Sequence, residues 1–321
     1  MPKLNMVQAI NLALKEEMKR DDSIVILGED VGRDGGVFRT TEGLYGEFGA
    51  ERVIDTPLSE SGIIGAAIGM AAYGLRPVAE IQFMGFIYSA IDQTFSHAAR
   101  IRYRSRGRYT CPMVIRTPYG AGVKALELHS ESTEAFFCHM PGIKVVVPST
   151  PYHAKGLLIS SIRDPDPVIF LEAMRLYRLI KEDVPEGEYT IPLGKARIVQ
   201  EGNDVTVISW GSMLHRTLQS VEGYDAEVID LMTLSPFDEE TLLNSVKKTG
   251  RVVIVHEAPK TCGFGAELSA TIAEDAMLYL KAPILRVTGY DVLVPLAKLE
   301  DHYVPSVERI RKAIEETLKY L

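Results

Sequence analysis

Two carboxylates and one histidine occupy positions in this sequence from which they could do acid–base chemistry. Glu29 follows an apolar stretch, SIVILG, that predicts a buried strand, and Glu60 opens a predicted helix made largely of Gly, Ala and Ile. His129 ends a Gly-containing segment, PYGAGVKALELH, that joins a predicted strand to the next helix. Loops that follow parallel strands are where α/β proteins build their sites. We therefore treat these three residues as candidate site residues.

Glu60 has both an ordinary and a functional interpretation. Ser59 is a plausible helix cap, and a negative side chain in the first turn of a helix is favourable, so a simple helix start explains the carboxylate. The glycines that follow would let a partner helix approach closely and leave Glu60 partly buried; they are Gly62, Gly65, Gly69 and Gly74. Burial raises the pKa of a glutamate, which suits proton exchange with a weakly basic ring nitrogen.

The settings of His129 and Glu29 leave alternatives open. A histidine on a flexible loop could act as acid or base near neutral pH, although a lone histidine is more often a surface or structural residue. The loop GEDVGRDGGVF, which carries Glu29, has neither the ending of a phosphate-binding P-loop nor the spacing of a dinucleotide fingerprint. HExxH, CxxC and GxSxG patterns are absent from the sequence, which excludes zinc hydrolysis and Ser-triad chemistry.

Composition limits the class of protein. The 321 residues are 46% hydrophobic and 24% charged, with a formal net charge of −8, so the chain predicts a globular protein without a nucleic-acid-binding face. No apolar run approaches the roughly 20 residues needed to span a membrane. The chain has three cysteines that lie far apart in the sequence, which fits reduced thiols: Cys111, Cys138 and Cys262. The amino terminus has the pattern of a capped amphipathic helix and not of a signal peptide. We therefore expect a cytoplasmic location.

Alternating strand and helix patterns predict the fold. From residue 52 to residue 172 apolar strands alternate with helices, including a helix predicted at 88–104, which implies a parallel sheet covered on both faces. A polar segment broken by Pro185 and Pro192 follows, and then a second strand–helix series begins. We predict two doubly wound α/β domains, at 1–175 and 193–321, with a linker at 176–192.

Several linked motifs spread over the chain point to one family: IDTPLSE, EIQFMGFIYSAIDQ, RTPYGAG, HSESTEAFFCHMPGIKVVVPS, EVIDLMTLSPFD, HEAPKTCGFGAE and TGYDVLVP. Together they resemble the beta subunits of the decarboxylating first component of 2-oxo-acid dehydrogenase complexes, in the transketolase-like superfamily. The resemblance implies a pyrimidine-binding domain followed by a transketolase-type carboxy-terminal domain. It also implies thiamine diphosphate as the cofactor and transfer of an acyl group to a lipoyl group.

The resemblance assigns roles to individual residues. Glu60 matches the carboxylate that hydrogen-bonds the ring nitrogen of the aminopyrimidine, and Phe86 matches the aromatic residue that packs on that ring. Leu58 is expected to line the cofactor and substrate pocket. His129 matches the histidine that assists proton handling and acyl transfer, and Glu29 matches an acidic residue of a polar tunnel between paired sites.

Metals and partners also follow from the resemblance. An alpha subunit is expected to bind the diphosphate and Mg²⁺, because this chain lacks a GDG motif. A potassium ion is expected, mostly on backbone carbonyls, near Cys111, Met113, Val114, Ser161, Asp164 and Asp166. The family implies an alpha2beta2 tetramer, subunit packing on the helix face from Gly62 to Gly74, and docking of a lipoyl acyltransferase by the carboxy-terminal domain.

The sequence leaves alternatives for the substrate and for the kind of protein. Details such as EIQF, EAFFCHMPGIKVV and AKGLL favour the branched-chain members, that is, a 3-methyl-2-oxobutanoate dehydrogenase, with pyruvate dehydrogenase as the alternative. A catalytically silent scaffold would have lost Glu60 or His129, and both are present. Half of a split transketolase or deoxyxylulose-phosphate synthase would need basic and histidine residues for a sugar phosphate in the carboxy-terminal domain.

Overall fold

A computed structural model describes residues 1–320, and the bounds of its strands and helices follow. The strands are β1 (Lys3–Leu4), β2 (Ile24–Gly28), β3 (Val53–Asp55), β4 (Arg76–Glu80), β5 (Val114–Tyr119), β6 (Lys144–Val146), β7 (Val168–Ala173), β8 (Glu182–Asp183), β9 (Arg197–Gln200), β10 (Val205–Ser209), β11 (Ala226–Asp230), β12 (Thr233–Ser235), β13 (Val252–Pro259) and β14 (Leu285–Gly289). The α-helices are α1 (Met6–Arg20), α2 (Leu44–Phe48), α3 (Glu60–Ala72), α4 (Ile101–Arg104), α5 (Glu134–Cys138), α6 (Pro151–Arg163), α7 (Ser212–Ser220), α8 (Glu239–Thr249), α9 (Phe264–Ala276), α10 (Glu300–Tyr303) and α11 (Val307–Leu318).

The first sheet has the order β12-β6-β7-β5-β4-β2-β3, and its strands from β6 to β3 pair in parallel. Strands β2, β5 and β7 are buried along their whole length, as expected when helices cover both faces of a parallel sheet. Helices α1 and α6 pack against each other on one of these faces. The predicted doubly wound α/β architecture of this half is confirmed.

The second sheet has the order β14-β13-β10-β11-β9, with β9 antiparallel at its edge. Its buried residues form a second hydrophobic cluster, in which Val205, Val207 and Val253 of the strands pack with Ile310 and Ile314 of α11. The chain is therefore built from two parallel-rich α/β units. Within residues 1–320, each helix is too short or too polar to cross a membrane.

One strand from the second half completes the sheet of the first. Strand β12 pairs antiparallel with β6, placing Thr233 opposite Val146, and the Val147 N–H donates to the Met232 carbonyl at 2.7 Å. The segment at 176–192 also takes part in the fold, because β8 within it pairs with β1 near the amino terminus. The two α/β units therefore share backbone hydrogen bonds in addition to side-chain contacts.

The helix predicted at 88–104 is not continuous. The chain instead forms a 3₁₀ helix at Met84–Ala90, a π-helix at Asp92–His97, a short 3₁₀ turn and then α4. Within this stretch the Thr94 hydroxyl donates back to the Ala90 carbonyl at 2.9 Å, a contact that bends helices. The irregular segment brings Phe86 and Ser89 beside the start of α3.

Candidate active site at the carboxyl ends of four strands

The predicted site residues lie at one edge of the first sheet. Strands β3, β2, β4 and β5 are neighbours that pair in parallel, so their carboxyl ends face the same side. Glu29 follows β2, Glu60 follows β3, Phe86 follows β4 and His129 follows β5. Ligands of open α/β sheets bind at this edge. The fold therefore brings together four residues that are separated by up to 100 positions in the sequence.

Glu60 is half-buried and is the first residue of α3. The Ser59 side chain caps the helix by accepting from the Gly62 N–H, as predicted. The Ser89 hydroxyl lies 3.3 Å from Glu60 Oε2 and also 3.3 Å from the Phe86 carbonyl. Glu60 is therefore oriented by its own helix and by the irregular segment, and its carboxylate remains partly open to a ligand.

Glu29 is buried, with 9% of its surface exposed, and its Oε1 has no hydrogen-bond partner among residues 1–320. Burial raises the pKa of its carboxyl above the ordinary value, and the negative charges of Glu60 and Asp30 raise it further. An unpartnered buried oxygen is costly unless a ligand or partner satisfies it. Glu29 therefore lies close enough to Glu60 for their charges to interact. Its carboxyl holds a proton more tightly than the carboxyl of a free glutamate does.

The loop that carries Glu29 is pinned in place. Asp55, at the end of β3, accepts from the Gly32 N–H at 2.6 Å and from the Arg33 N–H at 3.2 Å. The Thr41 hydroxyl donates to the Val31 carbonyl at 2.7 Å. These contacts fix the loop that carries Glu29 beside the ends of the strands.

His129 packs against two aromatic rings. Its imidazole lies 4.4 Å from the Phe83 ring and 5.1 Å from the Phe86 ring, measured between centroids. Its Nδ1 lies 3.0 Å from the Glu127 carbonyl oxygen. Because a carbonyl can only accept, this contact places the proton on Nδ1 and leaves Nε2 of the neutral ring able to take one.

Leu58 is 79% exposed, so the described part of this chain does not enclose it. It lies two residues before Glu60, on the segment that joins β3 to α3. A half-buried carboxylate, an unpartnered buried glutamate and an aromatic ring at one sheet edge fit an aminopyrimidine group. The exposed Leu58 fits a site whose other wall comes from another chain.

Beneath the site lies a buried charge network that sequence reasoning missed. Arg116 of β5 is 1% exposed and donates to both oxygens of Glu172, at 2.7 and 3.0 Å, and to Glu80 at 2.9 Å. The Tyr177 hydroxyl adds a 2.7 Å bond to Glu172. The available signal was an arginine in the middle of the apolar strand PMVIRTP, since a buried guanidinium requires carboxylate partners.

The residues expected around potassium fall in two segments, one at the start of β5 and one spanning the end of α6 and the loop after it: Cys111, Met113 and Val114, and Ser161, Asp164 and Asp166. Lys144 Nζ lies 2.7 and 2.6 Å from the two oxygens of Asp164, and Arg102 Nε lies 2.6 Å from Asp166 Oδ1. Among residues 1–320, no three His, Cys, Asp or Glu side chains form a metal-binding group. Basic side chains therefore pair with both of these carboxylates.

Family models match both halves of the chain. The transketolase pyrimidine-binding domain matches residues 2–180, and the transketolase C-terminal domain matches residues 194–310. A solved structure described as a split-gene transketolase, an inactive beta4 tetramer, superimposes with a TM-score of 0.80 over 99% of both chains. That structure is only 22% identical in sequence and so supports the fold alone.

Full-length relatives are much closer in sequence. The pyruvate dehydrogenase E1 component subunit beta of Acholeplasma laidlawii is 51% identical over 321 residues, covering 98% of each chain. The protein of the same name from Bacillus subtilis (strain 168) is also 51% identical, covering 98% of this chain and 100% of the relative.

These relatives contradict the prediction of a 3-methyl-2-oxobutanoate dehydrogenase. The motifs that suggested branched-chain substrates include Ile143, Val145 and Leu157, all of which are buried in the core. These three residues therefore indicate how the domain packs. The chain nevertheless belongs to the family of beta subunits of the E1 component of 2-oxo-acid dehydrogenases.

Proposed function

We propose that this chain supplies the aminopyrimidine half of the active site of a thiamine-diphosphate-dependent pyruvate dehydrogenase. The observation that carries the choice of pyruvate is the pair of full-length relatives at 51% identity that bear the name pyruvate dehydrogenase E1 component subunit beta. The gathering of Glu29, Glu60, Phe86 and His129 at one sheet edge supports the catalytic role. In the overall reaction pyruvate loses carbon dioxide, and the electron pair left on its acetyl carbon reduces the sulfur–sulfur bond of an oxidised lipoyl group. That bond breaks, one sulfur bonds to the acetyl carbon, and the other sulfur takes up a proton.

Each site residue has a task in this proposal. Glu60 accepts a hydrogen bond from the protonated ring nitrogen of the aminopyrimidine and exchanges a proton with it. Phe86 packs against that ring, and Leu58 lines the pocket. Thiamine diphosphate, when bound, supplies the nucleophilic carbon and accepts the electron pair released by decarboxylation.

The two remaining residues handle protons. Glu29 holds a proton to a higher pH than a free glutamate does, because burial and the nearby carboxylates raise its pKa. It is therefore suited to serve as the acidic residue of a polar tunnel between paired sites. The free Nε2 of His129 can take or give a proton while the acyl group moves to the lipoyl sulfur.

The proposal includes an alpha partner and an acyltransferase. The alpha subunit would bind the diphosphate and Mg²⁺ and cover Leu58, in an alpha2beta2 tetramer. Subunit packing on the glycine face of α3 is supported by open space beside this helix. A Cβ built on Gly69 would meet nothing within 4 Å, so residues 1–320 leave this part of the face uncovered. We place docking of the lipoyl acyltransferase on the carboxy-terminal domain and the whole assembly in the cytoplasm.

A potassium ion on the backbone carbonyls of the loops around Cys111 and Ser161 is also part of the proposal. Replacing choline chloride by potassium chloride at constant ionic strength should then raise the melting temperature, because a ligand that binds only the native state stabilises it. An identical melting temperature in the two salts would remove the ion from the proposal.

The experiment that tests the function uses the chain alone and the chain co-expressed with its alpha partner. Decarboxylation of pyruvate, 3-methyl-2-oxobutanoate and 4-methyl-2-oxopentanoate is measured with thiamine diphosphate and Mg²⁺. We expect activity only in the mixture, with pyruvate preferred. Activity of the chain alone would contradict the half-site, and a preference for branched acids would contradict the substrate.

A further inference from the structure

The loop that carries His129 is held from the carboxy-terminal half of the chain by two buried carboxylates. We define the His129 loop as residues 120–131, between β5 and α5. Glu257 Oε2, in β13, accepts from the Ala121 N–H at 3.0 Å, and Glu300 Oε2, at the start of α10, accepts from the Lys124 N–H at 3.1 Å. Glu257 is 5% exposed and Glu300 is 1% exposed. Carboxyl oxygens that are shielded from water form strong hydrogen bonds with backbone N–H groups.

The loop lies directly against these partners. Gly120 has a φ of +79°, and a Cβ added to it would collide with Glu257 Oε2. Gly122 has a φ of +146°, and a Cβ there would come within 3.0 Å of the Arg175 backbone. A side chain at either glycine would therefore prevent the loop from lying this close to Glu257 and Arg175.

The far end of the loop rests on the site. His129 packs on Phe83 and Phe86, and its N–H donates to the Leu126 carbonyl at 3.3 Å. The Gly120 N–H donates to the Glu131 carbonyl at 2.8 Å and closes the base of the loop. Only five positions separate the anchored Lys124 amide from His129, so movement at the anchor moves the imidazole.

We propose that Glu257 and Glu300 are positioning residues that set the location of His129 relative to Glu60 and Phe86. They act through backbone amides of the His129 loop. The carboxy-terminal domain thereby contributes to acyl transfer in addition to its proposed docking role. The role given to His129 rests on the proposed function, whereas the anchoring of the loop does not.

Glu300→Ala tests the proposal in the enzyme assembled with its alpha partner. We expect amides 121–128 to exchange with deuterium about tenfold faster, as the loss of a buried hydrogen bond would cause. Acetyl transfer to a lipoyl domain should fall about tenfold, while pyruvate decarboxylation with an artificial electron acceptor changes less than about twofold. Glu300→Gln keeps an oxygen acceptor and should restore most of both losses.

Two further variants separate positioning from general damage. His129→Ala should show the same selective loss of transfer, and the double variant of His129→Ala and Glu300→Ala should be no slower than His129→Ala, because the two act through one group. Asp301→Asn is the matched control. Asp301 pairs with Lys124 Nζ at 2.9 Å, but both side chains are about half exposed, so we expect nearly wild-type exchange and transfer.

Unchanged exchange of the loop in Glu300→Ala would overturn the proposal whatever the activities are. Equal loss in the two reactions, or additive losses in the double variant, would also overturn it, because either pattern indicates a structural effect not routed through His129. A His129→Ala enzyme with unaltered transfer would contradict the role of His129 in the proposed function. Faster exchange in Glu300→Ala would still support the anchoring of the loop in that case.

Discussion

Gly85 lies directly beneath Leu128, so closely that a Cβ built on Gly85 would come within 2.8 Å of the Leu128 Cα. Leu128 itself has a φ of +69°, a conformation that a branched residue rarely adopts. The residue that follows it is His129, whose ring rests on Phe83 and Phe86. The absence of a side chain at Gly85 therefore determines how deeply the His129 loop sits over the site.

Gly85→Ala should displace the His129 loop without unfolding the chain. Since misplacing a catalytic group by about 1 Å can cost about a hundredfold, we expect acetyl transfer in the assembled enzyme to fall at least about tenfold. Gly46→Ala is the control, because Gly46 lies in α2 and a Cβ there would meet nothing within 4 Å. Similar transfer rates in both variants would show that the contact between Gly85 and Leu128 does not set the position of His129.

Arg116→Met should strongly destabilise the protein. The substitution would leave Glu80 and Glu172 buried without their cationic partner, which costs about 3–5 kcal/mol in comparable buried networks. Urea unfolding of the isolated chain, with the free energy of unfolding extrapolated to water, measures the loss.

Arg102→Met provides the comparison for Arg116→Met. Arg102 is 45% exposed and pairs with Asp166, so its replacement should cost less than about 1 kcal/mol. Equal losses of unfolding free energy in the two variants would contradict the conclusion that the Arg116 ion pairs stabilise the protein more because they are buried.

The sequence was sufficient to predict features that depend on local pattern. The predicted strands 23–28, 112–118 and 167–172 overlap the buried strands β2, β5 and β7, and the cap at Ser59 was found where it was expected. Glu60, Phe86 and His129 could be chosen because linked motifs matched a family. Their meeting at one sheet edge then followed from the parallel order of the strands.

Contacts between distant segments could not be predicted in the same way. The antiparallel addition of β12 to β6, the pairing of Arg116 with Glu172 and the reach of Glu300 to Lys124 join residues 56 to 176 positions apart. The local pattern of apolar and polar residues carries no information about partners so far apart in the sequence. The choice of branched substrates was wrong for a related reason, since several of the motif residues behind it, such as Val145, are buried in the core and help to pack the domain.

Glu134 should make the stability of the protein depend on pH. It is 1% exposed at the start of α5, and burial raises the pKa of its carboxyl from 4.5 to about 7. The native state therefore keeps a proton that the unfolded state has already lost between these two pH values. By linkage, the stability that depends on this proton is complete below pH 4.5 and is lost as the pH rises toward and past 7, by about 3 kcal/mol in total.

Glu134→Gln should remove this loss. Relative to the wild type, the variant is expected to become more stable as the pH rises from 5 to 8, by up to about 3 kcal/mol. Urea unfolding at several pH values measures the difference. Glu316→Gln is the control, because Glu316 lies exposed on α11 and its pKa is lowered by Lys319, so it does not titrate in this interval. A difference that does not vary with pH would contradict the buried, protonated state of Glu134.

The measurement that most directly tests the central claim is the rate of pyruvate decarboxylation by the Glu60→Gln variant, assembled with its alpha partner and saturated with thiamine diphosphate and Mg²⁺. The amide has almost the same shape as the carboxylate but cannot exchange a proton with a ring nitrogen. We predict a rate at least about a hundredfold below the wild type, with alpha–beta assembly unchanged by size-exclusion chromatography. A variant that assembles normally and retains more than about a tenth of the wild-type rate would contradict the proton-transfer role of Glu60.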